Sequence, residues 1–167
     1  VDYPEVAVIR DGRLIRYLAP KAYAYGAEPE FYDRVEERVL LMTLIPGMGA
    51  EALRHLKDSY RAVILQSFGV GGLPEYSDFY GIIRSAVDRG KVIVMTTQVP
   101  NEGSDLSVYH VGGHLKSTVR LLEAYDMTTE AALVKLMWIM GITNDYTEIE
   151  RLFYTPVARD ILHPISI

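Results

Sequence analysis

The sequence predicts an α/β fold, a small, doubly wound, mainly parallel sheet with helices on both faces, preceded by an N-terminal β-hairpin. Three observations predict it. Continuous apolar runs at residues 39–45, 62–65 and 91–96 have the length and β-branched content of strands buried on both faces. Stretches of helical periodicity separate these runs, and parallel strands joined by crossover helices close into a sheet covered on both sides. At 167 residues and 49% hydrophobic content, the chain is long enough for one sizeable core with appendages.

The hairpin is predicted at residues 6–17, where apolar and polar residues alternate around Asp11-Gly12, a pair that adopts the positive φ angles of a two-residue type I′ turn. A two-stranded hairpin is marginal in water, so it is expected to lean on another surface. Residues 19–38 mix Pro20, Gly26 and Pro29 with Tyr23, Tyr25, Phe31 and Tyr32. They read as an interdomain linker whose aromatics pack onto a neighbouring surface. The main unit is expected over residues 39–155, with a Pro-containing tail at 156–167 that pattern alone does not place.

Within that unit a first strand at 39–45 is followed by Pro46-Gly47, a short helix at 50–57, a second strand at 62–65 and the glycine-rich Gly69-Val70-Gly71-Gly72. Ser77 is the expected N-cap of a helix that buries Phe79, Ile82, Ile83, Ala86 and Val87 and stops at Gly90 in the C′ position. The third strand is 91–96, and residues 121–124 add a short fourth. Thr128 then caps a helix with Glu130 in its first turn and Ala132, Leu133, Leu136, Met137 and Met140 along its core stripe, ended by Gly141. Trp138 lies on another face as an interface residue. A last helix is expected at 146–153.

Composition excludes several classes of function. The net charge of −5, from 17 basic and 22 acidic residues, leaves no cationic face to neutralise phosphates, so no nucleic-acid partner is expected. No apolar stretch is long enough to span a bilayer, so no membrane partner is expected either. The absence of cysteine removes disulfides and thiolate ligands and suits a reducing compartment, the cytoplasm. A chain that opens at Val1 and runs straight into strand-like alternation reads as a fragment.

In open parallel sheets ligands bind beyond the carboxyl ends of the strands. Two loops qualify: residues 66–74, where three glycines let a ligand or another subunit approach the main chain, and residues 96–105, dense in short polar side chains. From pattern alone the first reads more readily as a tight strand-to-helix turn with no ligand, whereas the length and polarity of the second favour a functional loop over a solvated connection. The glycine loop matches neither a dinucleotide fingerprint nor a P-loop, because Pro74 stands where a further glycine is needed and Gly-Lys-Ser/Thr is absent. His110 and His114 are four apart, but Gly112 and Gly113 argue against a helix there, and no metal site is predicted. Glu102 and Asp105 lack a neighbouring nucleophile, and Ser67, Thr96 and Thr97 lack an evident base.

Several stretches together resemble a known family. Tyr3-Pro4-Glu5-Val6-Ala7, then 68–74 (Phe-Gly-Val-Gly-Gly-Leu-Pro), Asp88-Arg89-Gly90, Thr97-Gln98, and Tyr125-Asp126-Met127-Thr128 through Glu130-Ala131-Ala132 to Lys135-Leu136 are similar to bacterial type I, cytoplasmic L-asparaginases. The resemblance covers nearly the whole chain and rests on the order and spacing of the stretches rather than on any one of them. It implies a two-domain enzyme that hydrolyses L-asparagine to L-aspartate and ammonia through an acyl-enzyme, with no metal or organic cofactor. The nucleophilic threonine and the Thr-Asp-Lys set of that family lie on the N-terminal domain, so no catalytic residue is expected in this chain, and the hairpin at 1–18 would be the end of that missing domain.

The resemblance further implies a homodimer or tetramer in which this domain completes a neighbour's substrate site. The substrate-binding residues it implies are Gly69, Gly71, Gly72, Asn101, Glu102 and Asp105. Gly72 stands where the family often has a substrate-contacting asparagine, so backbone groups or a residue of the second loop take its place. Gln66 and Val99 match the arginine and cysteine that hold an effector asparagine in some members, which implies that this chain lacks that control. Competing readings are a non-catalytic amino-acid-sensing or dimerisation domain, a flavodoxin-like nucleotide-binding domain, disfavoured by the missing phosphate motifs, and an amidotransferase subunit acting on glutamyl-tRNA, which shares the architecture.

Overall fold

A computed structural model describes residues 5–19, 26, 28–56, 59–69, 71–74, 76–101, 103–108 and 110–162. The predicted α/β architecture is the one found. Strands β3 (Val39–Thr43), β4 (Ala62–Ser67), β5 (Val92–Thr97) and β6 (Leu122–Glu123) pair in parallel in the order β3-β4-β5-β6. The hairpin β1 (Ala7–Arg10) and β2 (Arg13–Arg16) forms a separate antiparallel pair. Asp11 (φ 50°) and Gly12 (φ 72°) make its turn as their sequence predicts. Ile9 and Leu14 face each other across it and remain 78% and 57% exposed.

Every residue of β5 is buried, which is why its sequence is an unbroken apolar run until its two threonines. One face of the sheet presents Val63, Leu65, Ile93 and Met95 to α1 (Glu51–Leu56), α2 (Phe79–Asp88) and Leu115 of α3 (His110–Thr118). The other presents Ala62, Ile64, Val92, Val94 and Leu122 to α4 (Thr129–Ile142) and α5 (Tyr146–Tyr154). The strand order never reverses, so the second helical layer comes from the two helices that follow β6. Each large side chain enclosed this way, such as Phe79 or Phe153, contributes about 1.5–3 kcal/mol.

Local chemistry sets the ends. At the end of α2, Gly90 (φ 78°) donates to Val87 and Lys91 to Ala86, a Schellman closure at the predicted position. At its start the cap is Asp78, whose Oδ1 accepts from Gly81 N at 2.8 Å, rather than Ser77. The Ser77 hydroxyl is engaged elsewhere, accepting from Ala50 N at 2.9 Å. Thr128 caps α4 through Ala131 N as expected.

Three expectations need correction. Helix α3 runs through Gly112 and Gly113, because Gly112 packs where a side chain would not fit. Gly141 does not end α4, which continues to Ile142. A Cβ there would lie 2.4 Å from the carbonyl oxygen of Arg34, so this glycine admits the main chain of the segment before β3. On α4, Leu136 and Met140 are fully in the core with Ala132 and Ile139, whereas Leu133 and Met137 are half-buried. Val87 of α2 is likewise half-buried.

The segment before β3 adheres to α4. Glu36 N donates to Met137 O at 2.9 Å, and Tyr32 meets Trp138 edge-on with ring centroids 5.2 Å apart, although Phe31 is exposed. Tyr23 and Tyr25 lie outside the described residues. The Glu36 carboxylate receives Arg38 Nε at 2.9 Å and Arg61 at 2.8 Å, which hold its pKa down to about 2 from 4.5. Lys135 of α4 is buried and holds the chain past α5, donating to Thr155 O at 2.8 Å and pairing with Asp160 at 2.7 Å. These bonds seat Ile161 in the core and place the start of the tail.

Two outcomes are expected. Gly141→Ala should lower stability by about 1–3 kcal/mol despite alanine's better helix propensity, read as a Tm lower by several degrees, because the segment before β3 must shift. Glu36, with a folded pKa below its unfolded value, adds stability above about pH 4.5 that is lost as the pH falls toward 2. Glu36→Gln should therefore show a shallower fall of Tm across that window in acid titrations followed by circular dichroism.

Candidate functional site

The strands of this sheet end in polar residues: Thr43 on β3, Gln66 and Ser67 on β4, Thr96 and Thr97 on β5. Parallel register places Gln66 between Thr43 and Thr96, and Ser67 beside Thr97, so they form two rows at the carboxyl edge. Side chains alternate across a strand, and the rows face opposite ways. Toward α4, Thr43 Oγ1 donates to Gln66 Oε1 at 2.7 Å and Gln66 Nε2 donates to Thr129 Oγ1 at 3.2 Å. Thr129 Oγ1 lies 3.2 Å from Thr96 Oγ1. On the other side, Ser67 Oγ donates to Thr96 O at 2.8 Å and the Thr97 hydroxyl donates to Gly69 O.

Beyond the α4-facing row opens a cleft of about 370 Å³, lined among others by Gln66, Thr97, Asn101, Asp126, Thr129 and Glu130. It lies at the N-terminus of a 14-residue helix, whose dipole favours negative charge, and two carboxylates stand at the same end. The lining suits a small polar molecule. Serine and threonine hydroxyls at this edge are held by carbonyl oxygens or by one another.

The glycine loop turns sharply on itself. Gly71 N and Gly72 N both donate to Phe68 O, at 3.1 and 2.8 Å, and Phe68 N donates to Gly72 O at 3.2 Å. Gly69 (φ 48°) and Gly71 (φ 145°) occupy backbone conformations that favour glycine. Gly71 is buried directly against the Asp105-Leu106 main chain: a Cβ there would lie 3.2 Å from Asp105 O and from Leu106 Cα. The two loops singled out by sequence thus meet. Gly69, Gly71, Gly72 and Asp105 belong to one side of the meeting point, whereas exposed Asn101 lines the cleft with Gln66 and Val99. Glu102 lies outside the described residues. Asp105 itself accepts from Ser107 N at 2.9 Å.

Sequence reading passed over Glu123, Lys116 and Tyr125. Glu123 is 2% exposed and its carboxylate receives Lys116 Nζ at 2.5 Å and Leu106 N at 2.8 Å. Burial draws the Lys116 ammonium down, but the bond and charge of Glu123 outweigh it and leave its pKa raised. Tyr125 adopts φ 48°, uncommon outside glycine, and burial raises its phenol's pKa. An acidic residue set between Leu121-Leu122 and Ala124 is the one signal in the sequence that marks this buried charge. His114, exposed, stacks on Tyr80 with centroids 5.1 Å apart.

The architecture defines a parallel α/β domain with a glycine-rich turn and a polar cleft at the carboxyl edge of its sheet. Its family is narrower. Residues 38–153 match the Glutaminase/Asparaginase C-terminal domain, and the chain belongs to that family. It is 33% identical over 162 residues to an L-asparaginase of Thermococcus kodakarensis, covering 96% of this chain and 48% of that protein. It is 35% identical over 163 residues to a glutamyl-tRNA(Gln) amidotransferase subunit of Pyrococcus furiosus, covering 96% and 36%.

Among solved structures, the thermostable L-asparaginase of T. kodakarensis superposes with a TM-score of 0.82 at 30% identity, over 98% of this chain and 49% of that one. L-asparaginase I of Vibrio cholerae shares the fold, with a TM-score of 0.76 at 23% identity over 90% and 46%. The chain therefore spans half or less of the length of these relatives. Among the described residues, no helix is long and apolar enough to cross a membrane.

Gln66→Leu should destabilise the domain by about 1–3 kcal/mol, since it strips Thr43 and Thr129 of their shared partner. Urea denaturation measures this, and an unchanged midpoint would show that water replaces the amide.

Proposed function

We propose that this chain is the C-terminal domain of an L-asparaginase-like amidohydrolase of the type I, cytoplasmic kind. The reaction is hydrolysis of the side-chain amide of L-asparagine: a nucleophile from the other domain adds at the acyl carbon, the C–N bond breaks and ammonia leaves, and water then cleaves the acyl-enzyme to release L-aspartate. The observation that carries the reading is 33% identity to an L-asparaginase along 96% of the chain, confined to about half of that relative. The domain has binding loops at its carboxyl edge and hydroxyls engaged in structural bonds, which suits a half that positions substrate while the nucleophile comes from elsewhere.

On this reading residues 1–18 finish the N-terminal domain, 19–38 link the two, 39–155 form the C-terminal domain and 156–167 its tail. Gly69, Gly71, Gly72, Asn101, Glu102 and Asp105 contact substrate across a homodimer or tetramer, and the isolated fragment is inactive. The exposed apolar residues of the hairpin support a neighbouring domain there, and a cysteine-free composition suits a reducing compartment. The proposed reaction uses no cofactor.

A second reading, a component of a glutamyl-tRNA(Gln) amidotransferase, is favoured by several relatives that carry that enzyme's name at 31–37% identity. Ammonia release distinguishes the two. The full-length protein should release ammonia from L-asparagine, and this chain alone should not. Release only from glutamine, dependent on glutamyl-tRNA, would favour the amidotransferase; silence of a folded full-length protein toward both would favour an amino-acid-sensing or dimerisation role. Gly72→Trp should fill the shared site and lower turnover at least about tenfold while the domain stays folded. Unchanged turnover in intact oligomers would remove Gly72 from the substrate site.

A further inference from the structure

We infer that buried Glu123 is a positioning residue for the glycine loop, acting through the main chain of Leu106; the functional consequence rests on the proposed amidohydrolase reading. Leu106 is fully buried and its backbone is gripped from three sides. Its N–H donates to Glu123 Oε2 at 2.8 Å. Gly112 of α3 lies against it so closely that a Cβ would be 2.5 Å from Leu106 O and 3.2 Å from its Cα. From the opposite loop Gly71 lies against the same residue, a Cβ there being 3.2 Å from Leu106 Cα and Cδ2. Both glycines thus pack tightly against one residue, and the carboxylate holds that residue's N–H.

Glu123 is itself held on every polar side. Its other oxygen receives Lys116 Nζ, one turn of α3 beyond Gly112, and its N–H donates to the Tyr154 hydroxyl at 3.0 Å. A carboxylate only 2% exposed is costly unless its bonding capacity is used, and here its oxygens go to Lys116 and to the main chain of the loop segment. The ladder continues on either side. Ser104 N donates to Tyr125 O at 2.8 Å, and Gly103 leaves no room for a Cβ against that carbonyl. Residues 103–106 are therefore zipped to 123–125, and the glycine loop rests on the zipped segment. Displacing Leu106 by a fraction of an ångström moves the floor under Gly71.

The test compares Glu123→Leu, which removes the acceptor, with Glu123→Gln, which keeps an oxygen for Leu106 N–H. Hydrogen–deuterium exchange in the full-length protein should accelerate about tenfold or more at 68–73 and 104–108 in the leucine variant, with the β4 and β5 amides unchanged and the glutamine variant close to wild type. Asparagine hydrolysis should show KM raised about tenfold with kcat within about twofold, again largely restored by glutamine. Should Glu123→Leu fail to fold, Gly112→Ala decides, because it pushes Leu106 toward Gly71 without removing a charge, and it should raise KM in the same manner. A folded variant with wild-type exchange at 68–73 overturns the inference. If the wild-type enzyme is silent toward asparagine, the functional reading falls, while the exchange experiment still settles the positioning role.

Discussion

Burial of a parallel sheet on both faces is the constraint from which the rest of this structure follows. No strand residue of β5 reaches solvent, and β4 is nearly as enclosed. Parallel ladders need crossovers of a dozen residues or more, and those crossovers bring the cover for one face with them. Because the strands are laid down in spatial sequence without reversal, α1, α2 and α3 provide that first layer and leave the second face bare. Helices α4 and α5 must then fold back beneath the sheet, carrying Leu136, Ile139 and Phe153 against Ile64 and Val94. The N-terminus of α4 thereby comes to rest beside the ends of β4 and β5, and the polar cleft exists because of that geometry.

The polar side chains at the strand ends are paired with one another or with backbone carbonyls, from buried Thr96 and Thr129 through half-buried Gln66 to exposed Thr43 and Gln98. Gln66 joins Thr43 and Thr129, Thr96 meets Thr129, and Gln98 sends its amide to Leu44 O at 2.8 Å. Each such bond contributes only about 1 kcal/mol, but leaving a buried donor or acceptor unmet costs more, so the network specifies how the loops leave the sheet. The buried Lys135–Asp160 pair works alike at the tail: it is worth little as net stability and much as a fixed location for residues 155–161.

What the sequence revealed and what it concealed follow from whether the governing interaction is local. Strand runs, the Asp11-Gly12 turn, the Gly90 closure and the Thr128 cap depend on neighbours a few residues away, and they were legible. Ser77 against Asp78 was decided by a contact with Ala50, twenty-seven residues distant. Gly112, Gly113 and Gly141 read as helix breakers because propensity is local. At Gly112 and Gly141 the tertiary reason for tolerating glycine, a main chain passing within van der Waals distance, has no local signature. The glycine loop itself was recognisable, but its dependence on Leu106 was not, since Glu123 looks in the sequence like the polar end of a short strand. The ligand rule for open parallel sheets pointed to the carboxyl edge, and family resemblance added what spacing did not, an expected ligand for it.

Rigidity is the physical theme of the carboxyl edge. Among the described residues the hydroxyls here are tied to Gln66 Oε1, Thr96 O, Gly69 O or each other. What the edge offers is fixed position, obtained from glycines at close backbone contacts and from a carboxylate whose bonds are all used within the fold. Such a surface costs little to organise when a ligand arrives, because its conformational freedom was already given up on folding. Burying Glu123 belongs to that rigidity: shielded from solvent, the charge serves geometry.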